Sequence, residues 1–86
     1  MGLDTVEFVL EAEKHFGVSI SDEAAAKTET VGQFVQLIYD LRDKTSKPLA
    51  HDEVCRQVQS IIVEQFAIPV EKIVLTARFI EDLGLD

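Results

Sequence analysis

Three stretches of this chain repeat apolar residues at intervals of three and four, the spacing that stacks side chains along one side of an α-helix. In the first stretch Phe8, Val9, Ala12 and Phe16 share a face. In the second it is Val31, Phe34, Ile38 and Leu41, and in the third Val54, Val58, Ile61, Ile62 and Phe66. An isolated helix shorter than about 12–15 residues is marginal in water, so these faces must bury one another. The pattern therefore predicts an all-α fold, a small bundle of three to four helices.

Local signals set the boundaries. The first helix is expected from Leu3 or Asp4 to Phe16, with Gly17 as its C-terminal stop. A short extended link follows with Val18 and Ile20 turned inward, and Ser21 or Asp22 caps one helical turn through Ala26. Thr30 followed three residues later by Gln33 has the form of a capping box. Residues 42–50, RDKTSKPLA, are polar and lack apolar periodicity, which predicts a linker. A further helix begins at His51 or Asp52, and Pro69 suits the first turn of a short helical piece in PVEKI. The remaining residues to Asp86 are expected as an ordered loop anchored by Val74, Phe79, Ile80 and Leu83.

Charge narrows the function classes. Sixteen acids against eight Lys and Arg leave a formal net charge of −8 on 86 residues, one small domain. Phosphate binding needs clustered Lys and Arg, so nucleic acid is not an expected partner, and anionic membrane surfaces are disfavoured. No apolar run reaches the roughly 18 residues that span a bilayer. The N-terminus carries acids where an export signal would carry lysines, and Cys55 has no second cysteine to pair with. Both features point to a reducing cytoplasm. A basic protein surface would be attracted by the acids.

Two sequence blocks carry a resemblance. Residues 3–38, beginning LDTVEFVLEAEKHFG, resemble the second, third and fourth helices of an acyl carrier protein. Residues 53–86, ending FIEDLGLD, resemble that family's first helix and long loop. Joined tail to head, the chain reads FIEDLGLD–MG–LDTVEFV, against a family phrase of the form F-x-E-D-L-G-x-D-S-L-D-T-V-E. The resemblance implies one acyl-carrier-like domain in circularly permuted order: 1–41 as family helices two to four, 42–50 as linker, and 51–86 as helix one and the loop. It also implies 4′-phosphopantetheine as cofactor, held on a serine between Asp86 and Leu3. Gly2 stands at that position and has no hydroxyl, so no cofactor is expected on this chain. Ser19, Ser21, Ser46 and Ser60 lack the Asp-Ser-Leu context.

The resemblance further implies a docking face formed by Asp4, Glu7 and Glu11, with Asp82 and Asp86 nearby and apolar support from Val6 and Leu10. Its partners would be basic patches on enzymes of fatty-acid, polyketide or related acyl metabolism. Two alternatives stand beside a carrier: a non-carrying interaction or regulatory protein, and a piece of a longer or tandem carrier that supplies the serine. The expected state is a monomer, with a domain-swapped dimer as the competing arrangement. No enzyme activity is expected, because carboxylates such as Glu81 and Asp82 come with no implied cleft. His51 and Cys55, four apart, are too few for a closed zinc site. His15 is read as a surface histidine, and Arg78 as a balance to local acid.

Overall fold

Helix α1 spans Leu3–Phe16 in the computed structural model, which describes residues 3–85. Gly17 closes it with φ 65°, a left-handed conformation that glycine adopts without steric cost. There the N–H groups of Gly17 and Val18 both donate to the Glu13 carbonyl, at 2.9 and 3.2 Å. Ile20 is buried and Val18 packs partly against the core. Helix α2, Asp22–Ala26, is capped by the Ser21 hydroxyl, which accepts from the Ala24 N–H.

Helix α3, Val31–Asp43, starts with the expected capping box: Thr30 Oγ1 accepts from the Gln33 N–H, and Gln33 Oε1 from the Thr30 N–H. Its two remaining first-turn donors are taken by a distant segment. The Val31 N–H donates to the Ala77 carbonyl at 3.0 Å and the Gly32 N–H to the Leu75 carbonyl at 2.8 Å. With the Phe79 N–H on the Glu29 carbonyl and an antiparallel bridge between Thr30 and Arg78, residues 75–79 form a strap over the start of α3. The helix outlasts Leu41 and takes in Arg42 and Asp43, so the polar connection begins at Lys44. Arg42 belongs to the fold: its guanidinium donates to the carbonyls of Phe16 and Lys47, tying the end of α1 to that connection.

Helix α4, His51–Phe66, packs on α3, on α1 and on a 3-10 turn at Val70–Lys72 that follows Pro69. One phenylalanine from each side meets at the centre. Phe8 of α1 lies 4.7 Å from Phe34 of α3, 5.5 Å from Phe79 of the strap and 6.5 Å from Phe66 of α4. Phe34 and Phe79 meet edge to face at 6.1 Å. Such pairs add about 0.5–1.5 kcal/mol each beyond the area they bury. Among the described residues no polar or charged side chain is fully buried. The Cα radius of gyration is 11.8 Å, against about 12 Å expected for a folded chain of this length.

The loop is anchored differently from the sequence expectation. Phe79 and Leu83 are buried, but Val74 and Ile80 are exposed, at 51% and 64%. Ile73, Ala77 and Leu85 are the other anchors. For Phe79 and Ile80 the extended backbone at the bridge explains this, because alternate side chains of an extended segment point to opposite sides. Ala77 and Phe79 turn inward, leaving Arg78 and Ile80 outside. In the helices, Leu41 and Phe66 are only partly buried, while Val35 is fully buried.

Candidate functional site

The periodicity that buries one side of α1 forces a second apolar line outward. With Phe8, Val9, Ala12 and Phe16 in the core, Leu3, Val6 and Leu10 lie exposed at 73%, 37% and 55%. Glu7 and Glu11 are exposed beside them, and Asp4 is half-buried in the first turn. Acids there complement the positive end of the helix dipole. Among the described residues none of these three acids takes part in an ion pair. The five predicted residues of this helix thus lie on its outer side, where the apolar line of Val6 and Leu10 runs beside the strip of Asp4, Glu7 and Glu11.

The loop acids behave otherwise. Asp82 Oδ2 accepts from the Arg78 N–H at 2.8 Å, and the Asp82 N–H returns a bond to the Arg78 carbonyl at 3.0 Å. One of its oxygens is thereby committed to holding a turn. Arg78 bridges Glu29 and Glu81, each at 3.6 Å, as expected of a local counter-charge. Gly2 and Asp86 lie outside the described residues.

Sequence reasoning missed a cavity of about 410 Å³ beside the start of α1. Thr5, Ala25, Thr28, Phe79, Ile80 and Glu81 contribute to its wall. The run Ala24–Ala26 was the available signal: small side chains on α2 leave space that larger ones would fill.

His15, His51 and Cys55 sit in structural roles. His15 lies edge-on to Phe16 and shares a 2.8 Å hydrogen bond with Gln57, linking α1 to α4 at the surface. His51 packs edge-on against Tyr39 at 5.6 Å, and Cys55 is half-buried against the core. Ser19, Ser21, Ser46 and Ser60 are all exposed, and only Ser21 heads a helix, the short α2. Among the described residues no helix is long and apolar enough to cross a membrane.

No protein-family model matches the sequence. No solved structure gives a significant match to the fold.

Proposed function

We propose that this chain is an acyl-carrier-like docking domain, in circularly permuted order, that binds basic patches on enzymes of fatty-acid, polyketide or related acyl metabolism. One observation carries the proposal: the solvent side of α1 presents Leu3, Val6 and Leu10 beside the carboxylates Glu7 and Glu11, which pair with no cation among the described residues. Exposed apolar side chains flanked by charge are costly to leave in water and inexpensive to cover with a partner of opposite sign. Single exposed ion pairs contribute about 0–1 kcal/mol, so affinity would come from several together with the apolar line. The resemblance of residues 3–38 and 53–86 to carrier helices supplies the class of partner.

Gly2 favours a second reading within the same surface. With no hydroxyl at the attachment position, the chain would act as a non-carrying interaction or regulatory protein unless a longer or tandem carrier supplies the serine. Both readings place docking on α1. The test is binding to an acyl-pathway enzyme that uses carriers, read by calorimetry at low and moderate salt. Glu7→Lys and Leu10→Ser should each weaken binding about tenfold, equivalent to about 1.4 kcal/mol, and added salt should weaken it further. Binding unchanged by both substitutions would remove α1 as the docking element.

A further inference from the structure

An open furrow runs between α1 and α4. Its first part, about 500 Å³, is lined by Glu7, Leu10, Glu11, Glu13, Lys14 and Gln65. It adjoins a second hollow of about 310 Å³ that shares Glu11 and Gln65 and adds His15, Ser60, Ile61 and Glu64. The two form one trough along the helix pair, with the exposed Leu10 on one wall.

Three features of the trough define what it fits. Its charge is negative: Glu7 and Glu11 of α1 and Glu64 of α4 are exposed and, among the described residues, unpaired. Lys14 is the opposing charge, and Glu13 is engaged by the Ile20 N–H at 2.8 Å. His15 is held by Gln57. The trough also has an apolar element in Leu10, so a bare cation would leave part of it unused. The third feature is Gln65, whose Oε1 is shielded from solvent and, among the described residues, accepts no hydrogen bond. A shielded acceptor without a donor is an unfavourable arrangement that an incoming N–H group corrects.

We propose that this trough binds a basic amphipathic helix of a protein partner. An apolar side chain of that helix lies over Leu10, and a Lys or Arg one turn away sits between Glu11 and Glu64, where a small rotation of Gln65 gives its oxygen a donor. This rests on the docking role of α1 and extends the interface onto α4, through Glu64 and Gln65. Lys14 opposes a second cation nearby and so limits the register in which such a helix can lie.

The test titrates the isotopically labelled full chain with an amidated peptide of about 14 residues, roughly four turns, carrying Leu and Lys at helical spacing. A scrambled peptide of identical composition is the comparison. Amide shifts are expected at Leu10, Glu11, Ile61, Glu64 and Gln65, including the Gln65 side-chain amide. Glu64→Lys should weaken binding by about fivefold or more and Lys14→Ala should tighten it about twofold, while Glu71→Lys, an exposed reversal outside the trough, should change it less than twofold. Thermal melts of each variant exclude misfolding as the cause. Shifts confined to α1, equal effects of Glu64→Lys and Glu71→Lys, equal binding of the scrambled peptide, or no binding at all would each overturn the proposal. Shifts confined to α1 would leave its docking role standing, so the two failures are distinguishable.

Discussion

Ala67 ends α4 with φ 56° and ψ 35°, a left-handed conformation that costs an L-residue about 1–2 kcal/mol. Its N–H closes the helix on the Val63 carbonyl at 2.9 Å, so the geometry is held by the cap. Glycine takes this conformation freely but loses about 0.5–1 kcal/mol more entropy on folding. Ala67→Gly is therefore expected to stabilise the domain by about 0.5–1 kcal/mol, measured as a raised urea midpoint at unchanged slope. Gly32 makes the opposite case. Alanine in a helix is ordinarily worth about 1 kcal/mol over glycine, yet a Cβ here would stand 2.9 Å from the Leu75 carbonyl oxygen. That oxygen is backbone and accepts the Gly32 N–H, so the strap would have to retreat. Gly32→Ala should destabilise by about 1–2 kcal/mol net. Stabilisation by the same change would mean that the strap does not press on α3.

At the scale of elements, helix starts and stops were legible because single residues with local chemistry set them. Gly17, Ser21, Thr30 and Gln33 each act within four residues of their own position. The strap was not legible, because its form depends on carbonyls of Leu75 and Ala77 meeting a helix more than forty residues earlier in the chain. No local repeat distinguishes Phe79, which is buried, from Ile80, which is exposed. Nor did any local pattern reveal the trough between α1 and α4, since it needs Leu10 and Gln65 side by side. The strap makes a sharp prediction. Phe79→Ala should cost about 3–5 kcal/mol, whereas Ile80→Ala should stay within about 0.5 kcal/mol. Chemical denaturation of both variants checks it, and equal losses would mean that the loop is anchored on both side chains. Within α3, Thr30→Ala should cost about 1 kcal/mol, because the Gln33 N–H then loses its acceptor.

At the scale of the whole molecule, a net charge of −8 spread over 86 residues sets carboxylates against one another. The four ion pairs among the described residues leave most of the acids uncompensated, including those of α1. Screening reduces this repulsion, since the Debye length falls from about 30 Å at 0.01 M salt to about 10 Å at 0.1 M. The melting temperature should therefore rise over that range, and coincident melts would contradict a repulsive surface. Helix α1 packs on α4 of the same chain around Phe8 and Phe66, which predicts a monomer by sedimentation.

The proposed carrier-like domain, with its acid-lined helix α1, has Gly2 at the attachment position. Mass spectrometry after incubation with a phosphopantetheinyl transferase and coenzyme A tests it most directly. The unaltered chain should gain no mass, because glycine offers no nucleophilic oxygen. A cyclised form, with Asp86 joined through a serine to Leu3 in place of Met1–Gly2, should gain one phosphopantetheine while keeping the helical spectrum of the parent. Modification of the unaltered chain, or a folded cyclic form that stays unmodified, would contradict the account.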